Sequence, residues 1–465
     1  MNCSSSLGSD CNMRKPASLS HLVIAFHAMV FLALSVGTLP ADELTLGWSS
    51  IDLTPDQPVA MRGKILSEGV LDPIYATALA IESGRGENSE RIVLVSCDLL
   101  WIPDGNRYEA NLRDRVRDLV HHACPEIPHA NIILMATHTH VAPSVKADES
   151  YAELAAKRIS SAVVQAWQRR EPGGIGFGLG HAALSHNRIV THRDGSSRMV
   201  GSFQQGKTSD DKFSHIEGFE DHAVQLLFTV NKTGDLTGLL INTPCPAQVQ
   251  RGNLISADFW HETRNELRRR LGDDLFILPQ VSAAGDLATS VMVETKGEKR
   301  MQMLSFPDIE DTRALRRRQI ATRIADCVCD ILPVVRDQTD FSPTIACTKQ
   351  ILRWPLGFPT PDPSAGDVAI ELNAIRLGDV AMVTNPFELY CDYGVRIKGR
   401  SPAIQTFVVE LAGSGSYLPT ARAVEGGGYG AISRTCRVGP AAGDAIVDAS
   451  LKMLDELWKK QRSSE

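Results

Sequence analysis

Two imidazoles two residues apart close the segment Asn131-Ile-Ile-Leu-Met-Ala-Thr-His-Thr-His-Val-Ala-Pro143. The apolar run 132–136 reads as a buried strand. If the extended backbone continues, His138 and His140 share a face. Such a pair can hold one metal ion between them, or divide into a ligand and a base. Two loop histidines with no chemistry have the same spacing, so the pair does not choose by itself. Four other regions are rich in Gly, Asp, Tyr and His, as site loops are. They are Ser185-His-Asn-Arg188, residues 242–249 with Ile255-Ser-Ala-Asp-Phe259, residues 280–287, and Tyr417-Leu-Pro-Thr420 with Gly426-Gly-Gly-Tyr429. No glycine-rich element has the strand-then-helix context of a nucleotide loop, which excludes nucleotide binding.

The surrounding pattern says what must position these loops. Apolar or alternating runs predict strands at 44–53, 75–81, 91–97, 132–136, 224–230, 236–241, 275–278, 368–377 and 380–383. Helices are expected over 106–122, 151–169, 257–271, 309–331, 386–398 and 444–460, the fifth opened by Pro386. The strands at 132–136 and 275–278 are apolar on both faces and are expected at the centre of a sheet. Strands and helices alternate without a repeat or a clear linker. The expectation is one α/β domain over 42–465, with mixed β-sheets covered by helices.

The chain has 465 residues, 43% hydrophobic and 22% charged, with a formal net charge of -7. No Lys/Arg stripe suits nucleic acid, so no nucleic-acid partner is expected. At the start, Arg14 and Lys15 precede an apolar run at 22–34, and Leu39-Pro40-Ala41 follows. This is the order of a secretory signal peptide over 1–41, cleaved before Asp42. An uncleaved anchor is the competing reading, although the run is short for a span. A cleaved signal places the protein outside the cell, in the periplasm or in the cell envelope. Export permits disulfides, but the eight cysteines from Cys97 to Cys436 show no CxxC pair and fix no connectivity.

Thr137-His-Thr-His140, Asn187-Arg188, Ile255-Ser-Ala-Asp-Phe259, Gly285-Asp286, Asn385-Pro-Phe-Glu388 and the pair Tyr417 and Tyr429 occur in this order. Together they resemble the N-terminal catalytic domain of the neutral, non-lysosomal ceramidases, over roughly residues 45–445. The resemblance implies a zinc amidase that cleaves ceramide or a related N-acyl lipid. It implies Zn2+ held by His138, Glu388 and Tyr417, with His140, Arg188 and Tyr429 as catalytic groups. Its partners are a small-molecule or lipid substrate and, peripherally, a membrane. Two positions depart from the family. Cys245 stands where the family has its second zinc histidine; a thiolate is itself a zinc ligand, so Cys245 is carried as the fourth. Ala288 stands where the family has a serine. Three readings follow: a hydrolase with an altered ligand set, a catalytically inactive lipid- or glycan-binding protein of the envelope, or a structural envelope protein.

Overall fold

The computed structural model describes residues 44–462, apart from 85, 87, 88, 107–109 and 202–206. The expected signal peptide at 1–41 lies outside the described residues.

Strand Ile132–Ala136 shows how the layers arise. Ile132, Leu134 and Ala136 pack into one core, and Ile133 and Met135 into another. Period-two alternation with both faces apolar demands a layer on each side. On one side lie helices Leu112–Ala123 and Glu149–Gln168. On the other lies a second sheet, which contributes Ile375, Met382 and Phe407 to the shared core.

The first sheet has eight strands, in the order Phe276–Val281, Leu236–Thr243, Ala223–Asn231, Glu171–His181, Thr45–Asp52, Tyr75–Ser83, Glu90–Cys97, Ile132–Ala136. Helices Phe259–Leu271 and Thr312–Val335 cover the outer face of its other half. The second sheet has four strands, Ile345–Pro355, Asp367–Leu377, Val380–Thr384 and Gln405–Val409. Its outer face carries helices Cys391–Arg400 and Pro440–Arg462. The result is four layers, helix–sheet–sheet–helix, and the mixed α/β class read from the sequence holds.

The two strands expected at the centre instead terminate the large sheet at its opposite ends. Their burial comes from curling of the sheet. Ser96 Oγ donates to the Pro279 carbonyl at 2.6 Å, and Gln280 Nε2 approaches Met135 Sδ at 3.2 Å. The ends therefore face each other across the core. No two cysteines among the described residues are bonded to each other.

Within these two sheets three pairs of strands run parallel: 90–97 with 132–136, 236–243 with 276–281, and 380–384 with 405–409. Their C-terminal ends are stitched together. Thr137 N donates to Cys97 O at 3.0 Å, Ser282 N to Thr243 O at 2.9 Å, Asn385 N to Val409 O at 2.9 Å and Glu410 N to Val281 O at 3.0 Å. Ligand sites in α/β sheets form beyond such C-terminal ends, where loops diverge.

Candidate active site

His138 follows strand Ile132–Ala136 by two residues and has φ 66°. Side chains with a Cβ seldom adopt this left-handed conformation, and it carries strain of about 1–3 kcal/mol. The strand does not continue through both histidines, as the sequence reading supposed. The turn at His138, not the pleat, brings the rings together edge to face, with centroids 4.9 Å apart.

The protons of this pair can be assigned from its partners. His138 is buried, and its Nδ1 lies 2.8 Å from the Leu100 carbonyl. A carbonyl only accepts, so Nδ1 carries the proton and the neutral ring has a lone pair on Nε2. Arg62 Nη1 lies 3.1 Å from His140 Nδ1. An arginine only donates, so His140 holds its proton on Nε2. That Nε2–H meets His138 Nε2 at 3.3 Å. Burial, then His138, Arg62, Arg188 and Arg251, push the His140 pKa well below the ordinary imidazole value. His140 is thus neutral near pH 7, with its N–H aimed into the site.

Glu388 arrives from the other side. Its Oε2 is 3.5 Å from His138 Nε2. The sequence reading placed it in a helix opened by Pro386. It lies instead on the two-residue strand Glu388–Leu389, which pairs in parallel with Tyr417–Leu418. The helix begins later, at Cys391. That ladder sets Glu388 directly opposite Tyr417. Burial opposes ionisation of Glu388, but His138 in its protonated form, the Tyr417 hydroxyl and Arg188 outweigh it and hold the carboxyl below its usual range. Burial, reinforced by Glu388, raises the Tyr417 phenol, which stays protonated.

Arg188 Nη2 donates to Tyr417 Oη and to the Gly285 carbonyl, each at 3.3 Å. Burial disfavours its charge, but Tyr417 and Glu388 more than offset this and keep it cationic. Its buried Nε has no hydrogen-bond partner among the described residues. Gly285-Asp286 serves as the seat of this arginine. Arg188 N donates to Asp286 O at 3.0 Å, and Asn187 Nδ2 to Asp286 Oδ2 at 2.7 Å. A Cβ on residue 285 would collide with the Glu388 backbone, so only glycine permits this approach. Tyr429 stands edge-on to Tyr417, with ring centroids 5.9 Å apart.

Cys245 does not join this group. It is fully buried in the apolar core with Leu184, Phe259 and Trp260, and its Sγ lies 3.6 Å from the Leu184 carbonyl. Burial raises its thiol far above the thiolate range. Its backbone neighbours still reach the site, since His140 N donates to Ala247 O at 3.3 Å. The segment runs where a ligand would be expected, but the side chain serves the core. Cys245→Ser is therefore expected to leave metal content and turnover unchanged. It should lower stability by about 1–2 kcal/mol, because a hydroxyl replaces a thiol in an apolar setting. Metal analysis and thermal unfolding of the variant check both halves. Ala288 pairs with His186 in a two-residue ladder beside the Arg188 strand.

Residues that carry no motif complete the site. Arg62 and the Leu100 carbonyl, which fix the tautomers, have no sequence signature. Glu410 is buried, and its Oε2 accepts from Ala284 N at 3.1 Å and Leu389 N at 2.9 Å. It thereby ties the Arg188 seat to the Glu388 strand. Behind the histidine loop, Thr139 Oγ1 donates to Ser256 O at 2.8 Å. Asp72 and Arg317 hold Ser256 in turn, and Arg317 pairs with Glu262 at 3.0 Å. Glu262 is pushed up to about 7 from 4.5, chiefly by burial. A folded pKa above the unfolded one gives stability that is complete below the unfolded value and lost as pH rises through the folded value. Between about pH 5 and 8 the wild type should lose about 2 kcal/mol more stability than Glu262→Gln. Denaturant unfolding of both at the two pH values is the check.

A cavity of about 470 Å³ is walled by Leu99, Trp101, Val145 and Lys146 together with Arg62 and Leu100, the hydrogen-bond partners of His140 and His138. A cavity of about 530 Å³ between residues 179–183 and 323–335 contains none of the site side chains. The smaller one borders residues that touch the histidines. Among the described residues no three His, Cys, Asp or Glu side chains form a metal-binding group. The Tyr417 phenol, paired opposite Glu388, is an oxygen that could join His138 and Glu388 as a third donor. With His138 in its neutral form, its Nε2 lone pair and the Glu388 carboxylate face each other as two acceptors, an arrangement that fits a cation.

The layering and the curled sheet make up a ceramidase-like fold. Two solved structures show it. One is described as "Ceramidase complexed with C2", with a TM-score of 0.69 and 15% identity, covering 90% of this chain and 76% of that one. The other is the neutral ceramidase from Pseudomonas aeruginosa, with a TM-score of 0.70 and 16% identity, covering 90% and 75%. No protein-family model matches the chain, and no curated protein does. At this identity the likeness is one of fold.

Proposed function

We propose that this protein is a hydrolase of amide bonds in an N-acyl lipid, ceramide or a close analogue, with zinc held by His138, Glu388 and Tyr417. One observation carries the reading. His138, His140, Arg188, Glu388 and Tyr417 come from distant segments and meet, and a cavity with Leu99, Trp101 and Val145 in its wall lies against the partners of the two histidines. Zinc, when bound, supplies a Lewis acid for the carbonyl and a more acidic water.

The chain's own groups have defined work. The cavity takes an acyl or alkyl chain, and its apolar lining excludes water from the reacting bond. Arg188, cationic and with a spare N–H, faces the oxyanion of a tetrahedral intermediate together with a tyrosine hydroxyl. The proton lost by the attacking water must end on the departing amine, which cannot leave as an anion; His140 would relay it by accepting at Nδ1 once Arg62 gives up that nitrogen and donating from Nε2–H. Arg62 and Leu100 keep both imidazoles in the required tautomers.

The test is release of sphingosine from N-acylsphingosines by purified protein, alongside zinc measured by mass spectrometry. Turnover that a chelator abolishes and zinc restores supports the reading. Stoichiometric zinc without cleavage of any N-acyl substrate removes it. A second reading, binding of the same lipid without turnover, draws on the two departures at Cys245 and Ala288. It would be recognised by saturable lipid binding with no product. Export belongs to the same proposal. N-terminal sequencing of the native protein should begin near Asp42, and an intact start would speak for an anchor.

A further inference from the structure

The geometry points to a lipid-bilayer docking surface on the paired loops 62–71 and 251–254, at the mouth of the site. This deepens the lipid-hydrolase reading and rests on it for the choice of a bilayer as partner.

Ile65, Leu66, Val70, Leu71 and Leu254 are between 37 and 61% exposed. Isolated exposed apolar residues are ordinary, but five on two joined loops form a patch. The joining is by backbone. Glu68 N donates to Asn253 O at 2.9 Å, Leu71 N to Ile255 O at 2.8 Å, and Gly69 and Val70 pair with Leu254 and Ile255. The patch is thus carried on a fixed edge.

The same loop reaches the site. Arg62, which contacts His140, stands three residues before Ile65. Met61 bridges to Pro143, and Ser144 N donates to Ala60 O at 2.8 Å, so the loop also borders the apolar cavity. Arg62, Lys146 and Arg251 are exposed nearby; the acid on the patch, Glu68, is bonded to Asn253 Nδ2 at 3.1 Å. Apolar side chains beside cations match a bilayer with anionic headgroups. A lipid drawn from that bilayer would pass from the patch into the cavity without crossing water. No helix among the described residues is long and apolar enough to span a membrane.

The experiment is sedimentation of purified protein with sucrose-loaded vesicles, of phosphatidylcholine alone or with one-third phosphatidylglycerol. Wild type should pellet, more with the anionic lipid. The double variant Leu66→Asn, Leu254→Asn should lose about tenfold or more in vesicle affinity, since two side chains leave the apolar phase. Its cleavage of a short-acyl, water-dispersed substrate should stay within about twofold, as neither residue touches the site. Val334→Asn, at another exposed apolar position, should pellet like wild type. Docking is overturned if wild type pellets with neither vesicle, or if the double variant pellets unchanged. It is also overturned if light scattering finds a dimer that the double variant dissolves while neither binds vesicles. Vesicle binding without amide turnover would keep the surface and remove the hydrolase; turnover without vesicle binding would do the reverse.

Discussion

His138→Asn is expected to empty the metal site and to lower amide hydrolysis by about 10³-fold or more, the scale of losing several kcal/mol of Lewis-acid stabilisation. Asparagine is the informative replacement. Residue 138 has φ 66°, and asparagine tolerates that conformation far better than most side chains. The backbone turn that carries Thr139 and His140 should survive, so lost activity would not be lost fold. What goes is the lone pair facing Glu388 at 3.5 Å. Two readouts are needed, zinc per chain and sphingosine release on the same preparation. Zinc and turnover lost together place the metal at His138. Zinc retained at wild-type stoichiometry would put it elsewhere, and the ligand set His138, Glu388 and Tyr417 would fall. Glu388→Gln should follow the same pattern, because it removes the carboxylate charge that faces that lone pair.

The sequence disclosed some of this and concealed the rest for physical reasons. Strand Ile132–Ala136 was legible because both its faces are apolar, and the histidines after it were legible as a pair. Their convergence was not, since it depends on a positive φ that spacing does not encode. Strand Glu171–His181 was missed altogether. Its glycines at 176, 178 and 180 fall on one face, where Phe228, Ile331 and Cys327 leave no room for a Cβ. Tight packing thus removed the side chains that would have announced a strand. Glu388 was expected in a helix because Pro386 resembles a first-turn proline; the actual ladder partner, Tyr417, lies 29 residues on, beyond any local pattern. Cys245 shows the opposite failure. Its position in the chain matched a ligand, but position constrains the backbone, and here the side chain turns into the core. Arg62 and Glu410 had no motif because each acts through a single contact or a pair of backbone amides.

His140→Ala separates the two histidines, and the expected result differs from that of His138→Asn in kind. Turnover should fall by about 10²–10⁴-fold, the range for removing a positioned acid–base group. The loss should lie mainly in kcat, because His140 handles the proton only as the C–N bond breaks. Zinc content should stay at the wild-type level. His140 Nδ1 accepts from Arg62 at 3.1 Å, which leaves its Nε2 protonated and without the lone pair a ligand needs. Arg62→Met is the companion experiment. Without the guanidinium donor the ring can change tautomer, and turnover should fall while zinc remains. If His140→Ala loses zinc as His138→Asn does, His140 is a ligand, and the tautomer imposed by Arg62 does not persist once the metal is bound. If it keeps both zinc and turnover, the leaving amine takes its proton from another group, and the hydroxyls of Tyr417 and Tyr429 become the groups to replace. The three variants together turn one shared observation, two imidazole nitrogens 3.3 Å apart, into separate roles for each ring.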